Sequence, residues 1–273
     1  MEHRKIAFIG AGNMSKSIIN GLVNNGYPPN NITASNPSTA KLVVLKDQYG
    51  INTTQNNQQA LQAADVIVLA VKPQLMEEVC ADLATAKGLE NKLFISIAAG
   101  IAVARLQQML GAKYSLIRTM PNTPSALGKG MTGLYADEEI LQADKDFAGD
   151  LMRQVGEIAW LESEPMIDAV IAAAGSSPAY FFAFLEAMQA EAEHQGFEHQ
   201  TARLLVQQAM LGAAAMVCDN PHLEISELRA QVTSKGGTTA KAVEQFQQGN
   251  LDALVAKAMR AAVSHAKEMS ELF

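Results

Sequence analysis

The chain has 273 residues, 48% apolar and 18% charged, with 21 Lys and Arg against 28 Asp and Glu for a formal net charge of −7. That length supports two domains or one large one with an ample core, and with no stripe of Lys and Arg to track a phosphate backbone, nucleic acid is not an expected partner. No uninterrupted apolar run approaches the roughly 20 residues of a membrane helix, and the opening MEHRKIAFIGAG, with four apolar residues before glycines intervene, is not a signal peptide.

In chain order, KIAFI (5–9), NITAS (31–35), DVIVLAV (65–71), KLFISIA (92–98) and YSLIRT (114–119) read as strands. Between them, segments such as MSKSIINGLVNNG and QLMEEVCADLATA place apolar residues three and four apart, the helical period. That alternation predicts a parallel sheet wrapped by helices on both faces. MTGLYAD and GEIAW add edge strands, separated by a helix near 138–154. From Glu164 onward alanine, methionine, leucine and glutamine dominate, and 164–195, 198–218, 223–232 and 250–272 read as helices. A division follows into 1–163, an α/β domain, and 164–273, an all-helical one. Small residues in VIAAAGSSPAYFFAFLEAM allow close helix contacts and suit a subunit interface.

Cys80 and Cys218 stand in no Cys-x-x-Cys spacing, so a reduced cytoplasmic setting with buried, inert thiols is expected. The five histidines are scattered and never fall at metal-ligand spacing, so no metal is expected.

FIGAGNMSKS follows the first strand and opens the first helix, the context a dinucleotide-binding fingerprint requires. Gly10 permits the tight turn, Gly12 lets the backbone approach a pyrophosphate, and the helix's first N–H groups supply positive potential. Ser15 stands where a third Gly or Ala is usual, a small departure. An NAD site usually holds the adenosine ribose with an Asp or Glu about 20 residues on, yet no acidic residue occurs between Glu2 and Asp47. Ser35, Asn36, Ser38 and Thr39 offer hydroxyl and amide donors there, and Lys16 and Lys41 are nearby cations. Donors without a competing carboxylate suit a 2′-phosphate, so NADPH is expected over NADH, with NADH still usable. The same SNPST is also read as a turn and helix cap.

AVKP (70–73) lies at the carboxyl edge of the sheet, as do SIAAG (96–100) and RTMPNTP (118–124). Together with GSSPAY (175–180) and SKGGTT (234–239), in this order over the whole chain, the series resembles pyrroline-5-carboxylate reductase. The resemblance implies a Rossmann-like dinucleotide-binding domain followed by an all-helical dimerisation domain. It implies reduction of the C=N bond of 1-pyrroline-5-carboxylate to L-proline with NAD(P)H, the last step of proline biosynthesis. By the same resemblance, Gly10, Gly12, Asn13, Met14 and Ser15 hold the pyrophosphate, and Ser35, Asn36 and Asn57 meet the adenosine end. Ala70, Val71, Lys72, Pro73, Met120, Pro121 and Asn122 line the nicotinamide pocket. Lys235, Gly236, Gly237, Thr238 and Thr239 form the substrate loop, its backbone N–H groups on the carboxylate and Thr239, the one catalytic candidate, reaching the ring nitrogen. The family also implies a homodimer of interlaced helical domains, in some members a decamer. Two departures stand out: SKGG where the family commonly reads Ser-Pro-Gly-Gly, and Ala174 where it commonly has serine.

The glycine pair Gly236–Gly237 would cost roughly 1 kcal/mol per residue inside a helix. At a helix start it lets consecutive N–H groups converge on an anion, although a helix-to-helix turn with threonine caps explains the same letters. Two other functions fit the dinucleotide fold: a 3-hydroxyacid dehydrogenase or another imine reductase, and an NADP-binding sensor without turnover. Such dehydrogenases resemble one another in a catalytic lysine on a helix, and residues 158–234 contain no lysine.

Overall fold

The structure is a computed structural model that describes residues 3–272, with side chains described through residue 269. It forms two compact units: residues up to Pro178 together with those from Ala261 on, and Ala179–Arg260.

The first unit is built on an eight-stranded sheet in the order β3-β2-β1-β4-β5-β6-β7-β8. The strands are β1 Ile6–Ile9, β2 Ile32–Ser35, β3 Asn52–Thr54, β4 Val66–Leu69, β5 Leu93–Ser96, β6 Ser115–Met120, β7 Gly130–Ala136 and β8 Gly156–Trp160. All neighbours pair in parallel except β6 and β7, which are antiparallel. In the central strand Ile6 sits in register with Ile32 on one side and Val66 on the other. Helices α1 Asn13–Asn24, α2 Thr39–Tyr49, α3 Asn57–Gln62, α4 Met76–Leu83, α5 Val103–Leu110 and α6 Gln142–Arg153 cover the two faces. Because side chains alternate along a strand, β1 sends Ile6 and Phe8 into a core with Ile18, Leu22 and Leu151. It sends Ala7 and Ile9 into a second core with Leu61, Cys80 and Leu106. Burial on both faces is what made these strands legible as continuous apolar runs.

Three expectations change. β3, sequence NTT, was not expected; it is short and polar, and its pairing with β2 is what makes it a strand. Of the two supposed edge strands only β8 is an edge, since β7 pairs with β6 on one side and β8 on the other. Cys80 is buried, and burial pushes its thiol up to about 12, whereas Cys218 is exposed rather than buried.

The expected helix 164–195 is not uniform. It runs as α7 Met166–Val170, a π-turn Ile171–Gly175, and α8 Ser177–His194. Pro178 is the physical reason: in an α-helix its missing N–H would leave Ala174 without a partner and its ring would strike the Ala174 carbonyl. Widening the preceding turn, with Ser176 N–H bonded to Ile171 O at 2.7 Å, accommodates the proline.

The second unit is helical: α8 beyond Pro178, α9 His199–Asp219, α10 Ile225–Gln231, α11 Thr238–Gln248, and α12 Leu251–Leu272 up to Arg260. Only Ala202, Val206 and Leu228 are buried among its described apolar residues, whereas Phe182 is 61% and Leu211 63% exposed. So much uncovered apolar surface marks an interaction face. Two stretches, Met166–His194 and His199–Asp219, are long and apolar enough by composition to cross a membrane. No single uninterrupted run reveals them, because alanine carries much of their hydropathy between Glu and Gln residues.

Candidate functional site

β1 ends at Ile9 and α1 begins at Asn13, so Gly10, Ala11 and Gly12 make the turn between them. Gly10 has φ +111°, and a Cβ there would lie 2.6 Å from the Ala70 carbonyl oxygen at the end of β4. Both the left-handed backbone and the neighbouring strand therefore demand glycine. Gly12 is a different case. Its φ of −79° and ψ of −179° suit any residue, and a Cβ would meet no atom within 4 Å. Among the described residues nothing needs glycine there, and the open space beside the amides at the start of α1 is what the close approach of a pyrophosphate requires.

The crevice lies where the strand order reverses between β1 and β4, the topological switch point at which open α/β sheets bind ligands. Ser15 is buried and donates its Oγ hydrogen to Gly10 O at 2.7 Å, so it ties the turn to the helix. Asn36 Oδ1 accepts the Ala11 N–H at 3.2 Å. Ser35, fully buried, donates to Asn57 Oδ1 at 2.7 Å. Asn13 is exposed and Met14 half-buried at the helix start. Beside them a cavity of about 280 Å³ opens between α1 and α2, lined by Gly12, Asn13, Lys16, Lys41, Val44 and Leu45. Two ammonium groups, apolar Val44 and Leu45, and no carboxylate fit a phosphorylated adenosine, so the residues present fit NADP.

The remaining cofactor candidates lie on the same sheet edge. Ala70 and Val71 follow β4 directly against Gly10, and Lys72 is exposed ahead of a short 3₁₀ turn from Pro73. Met120 ends β6, followed by buried Pro121 and Asn122. The Asn122 side chain is 94% occluded by the protein, at 6% exposure, and already engaged: its Oδ1 accepts Met131 N–H at 2.9 Å and its Nδ2 donates to Ala174 O at 3.0 Å. Ala174 O also accepts from Ser177 Oγ at 3.2 Å.

Sequence reasoning missed a buried ion cluster beneath this edge. Arg118 on β6 has a side chain only 5% exposed; its Nη1 lies 2.8 Å from Glu164 Oε1 and its Nη2 3.8 Å from Asp168 Oδ1 on α7. Glu164 Oε1 also accepts the Val103 N–H at the start of α5, at 2.7 Å. Removing one partner of such a cluster typically costs about 3–5 kcal/mol because a buried charge is left unpaired. The available signal was an arginine inside the otherwise apolar strand SLIRTM.

In the second unit, Gly236 (φ +80°) and Gly237 join α10 to α11. Gly237 N–H bonds Ser234 O at 3.0 Å, and Lys241 N–H closes the first turn onto Gly237 O at 3.3 Å. The amides of Thr238, Thr239 and Ala240 precede that bond and lack an intrahelical acceptor, as at any helix start. Lys235, Thr238 and Thr239 are exposed. Gly236 thus answers a backbone need, and the amides it precedes stand at a helix start, where backbone N–H groups are open to an acceptor.

Comparison with known proteins gives this geometry its place. Residues 164–269 match the pyrroline-5-carboxylate reductase dimerisation family, so this is the oligomerising part of the chain, and residues 5–100 match the family of NADP oxidoreductases, coenzyme F420-dependent. The chain is 59% identical over its full length, and that of the relative, to a pyrroline-5-carboxylate reductase of Vibrio alginolyticus. A solved pyrroline-5-carboxylate reductase from Coxiella burnetii superposes with a TM-score of 0.90 at 42% identity, covering 98% of this chain and 99% of that one. The Plasmodium falciparum pyrroline carboxylate reductase, solved with NADP bound, reaches 0.89 at 27% identity, covering 99% of each chain. On sequence and fold alike, the chain belongs to the pyrroline-5-carboxylate reductase family.

Proposed function

We propose that this chain reduces 1-pyrroline-5-carboxylate to L-proline, the last step of proline biosynthesis, with NADPH as preferred donor and NADH as a poorer one. The observation that carries the cofactor part of the reading is Gly12, a glycine the fold does not need, set at a helix N-terminus on the switch point of the sheet; the substrate follows from membership of the family over the full chain. Residues 1–163 serve as the NADP-binding domain and 164–273 as the dimerisation and substrate domain. The Gly10–Ser15 turn receives the pyrophosphate, Lys16 and Lys41 attract the 2′-phosphate, and Ser35, Asn36 and Asn57 shape the adenosine end. Ala70–Pro73 and Met120–Asn122 enclose the nicotinamide and exclude water.

NADPH, when bound, supplies the hydride. The substrate's protonated imine is already electrophilic, so the chain needs no strong general acid: the C=N pair moves onto nitrogen as the ring carbon gains hydride, and a secondary amine results. Residues 235–239 hold the carboxylate through backbone N–H groups, with Lys235 adding positive charge, and the Thr239 hydroxyl orients the ring nitrogen. Binding and orientation are the protein's contribution. The chain works in the cytoplasm as a homodimer, with a decamer as a higher assembly, and neither nucleic acid nor a membrane is a partner. In this reading the apolar faces of α8 and α9 meet another subunit rather than lipid.

The test is consumption of NADPH with 1-pyrroline-5-carboxylate beside NADP reduction with small 3-hydroxy acids. Turnover with the imine alone is expected; binding of NADPH without turnover would replace the enzyme reading by a sensor. Thr239→Ala is expected to lower kcat or raise KM for the imine while NADPH affinity stays unchanged, and equal loss of both would make the loop structural.

A further inference from the structure

Asn122 sits in the nicotinamide wall proposed above, yet both ends of its amide are committed to the protein. Its acceptor satisfies the Met131 N–H at the start of β7. Its donor serves Ala174 O, the carbonyl that Pro178 leaves without a helical partner. A half-buried carbonyl stripped of its N–H partner costs free energy unless other donors reach it; Asn122 Nδ2 at 3.0 Å, from the end of β6, and the local Ser177 Oγ at 3.2 Å are those donors, and only Asn122 ties the turn to the sheet. The π-turn is thereby fastened to the end of β6. One residue on, Gly175 faces Met120 so closely that a Cβ there would come within 2.8 Å of Met120 Cε. The segment's other end is fastened too, through Asp168 and Glu164 beside Arg118. Two anchors, Arg118 on β6 and Asn122 just past its end, thus hold a widened helical turn against the Met120 side chain, all within the first unit.

We propose that Asn122 is a positioning residue: by donating to the carbonyl orphaned by Pro178 it locks the π-turn 171–175 against Met120 and so sets the wall on which the nicotinamide rests. The inference depends on Met120–Asn122 lining the nicotinamide. It differs from a direct cofactor contact, because Asn122 acts through Ala174 and Met120. Pro178 and Asn122 are in this view one device: the proline opens the turn and the asparagine closes the resulting gap.

The experiment is a double-mutant cycle with Asn122→Asp, which keeps the acceptor and, ionised, replaces the donor by a negative charge facing Ala174 O, and Pro178→Ala, which restores the N–H for Ala174. Thermal unfolding of cofactor-free protein, NADPH affinity, and the fluorescence lifetime of bound NADPH are read on each variant. Asn122→Asp is expected to lower Tm and to shift the nicotinamide lifetime by a larger factor than any rise in NADPH Kd. In the Pro178→Ala background that Tm loss and lifetime shift should shrink to half or less, because Ala174 then has a partner of its own. Should Asn122→Asp not fold, Pro178→Ala alone serves: it should shift the lifetime, as the turn reverts to α and Met120 moves, with affinity unchanged. The proposal is overturned by strict additivity of the two substitutions, by an unchanged lifetime, or by a Kd that weakens in step with the lifetime. None of these readouts uses the imine, so a protein that fails to reduce 1-pyrroline-5-carboxylate but shows the coupling loses only the substrate assignment.

Discussion

Replacing Gly12 by alanine separates what the fold needs from what a ligand needs. The residue's φ and ψ lie in the extended region, so alanine reduces the freedom of the unfolded chain without strain, a gain of about 0.4–1 kcal/mol. Gly12 is also the N-cap of α1 without a capping side chain, and alanine is the poorer residue there by roughly 0.5–1 kcal/mol. A Cβ would meet no neighbour within 4 Å, which removes any packing term. The sum is near zero, and Tm should stay within about 2 °C for a chain of this size. Affinity responds differently, because the methyl group occupies the space through which a pyrophosphate reaches the α1 amides. Losing one charge-assisted hydrogen bond costs about 1.5–3 kcal/mol, a tenfold to about hundredfold rise in NADPH Kd. Titration calorimetry with NADPH beside a melting curve reads both quantities. Unchanged affinity would show that the turn does not hold the pyrophosphate, and a large fall in Tm would show that Gly12 packs against something after all.

Gly10→Ala should do the opposite, lowering Tm by several degrees even without cofactor, because its Cβ would strike a backbone oxygen of β4 that cannot move aside; an unchanged melting curve would contradict the close approach. Lys16→Ala and Lys41→Ala should each reduce the ratio of NADPH to NADH affinity and flatten its dependence on salt, whereas Ser35→Ala should leave that ratio alone, its hydroxyl proton being given to Asn57. Competition binding at two ionic strengths distinguishes them. Cys80 should resist thiol reagents until the protein unfolds, and its burial carries an alkaline penalty. The folded state keeps a proton that the unfolded thiol releases above its ordinary value of 9.0, so this contribution is present below pH 9 and lost as pH rises toward about 12. Cys80→Ala should therefore show a shallower loss of Tm across that window than the natural chain, and parallel curves would refute the linkage.

The central strands were legible because each is buried on both faces and leaves an apolar run of its own; β3 was not, since three polar residues become a strand only when β2 lies beside them. Strand direction was equally hidden. MTGLYAD reads as a strand, but nothing local says that β7 runs against β6 and is then covered by β8. The long helix from Glu164 carried its break in plain letters, since Pro178 cannot follow an ordinary α-turn. What periodicity could not supply was that the turn would widen rather than end.

At the site, glycines were read more reliably than polar side chains, for a physical reason. A glycine reports a local backbone demand, and Gly10 and Gly236 do adopt positive φ. A serine or asparagine reports only that hydrogen bonds are made, not with whom. Ser15, Ser35 and Asn122 stand where ligand contacts were expected, and each spends its donor on the protein: on Gly10 O, Asn57 Oδ1 and Ala174 O. A serine hydroxyl whose single proton is already given inside the fold has none left for a phosphate, whereas the Asn122 amide keeps a second N–H. In the proposed reading, discrimination at the adenosine end falls to the ammonium groups of Lys16 and Lys41, which border a cavity whose lining holds no carboxylate. On the proposal above, Asn122 acts by fixing the wall rather than by touching what lies against it, which is why a substitution there should move the fluorescence of bound NADPH before it moves its affinity.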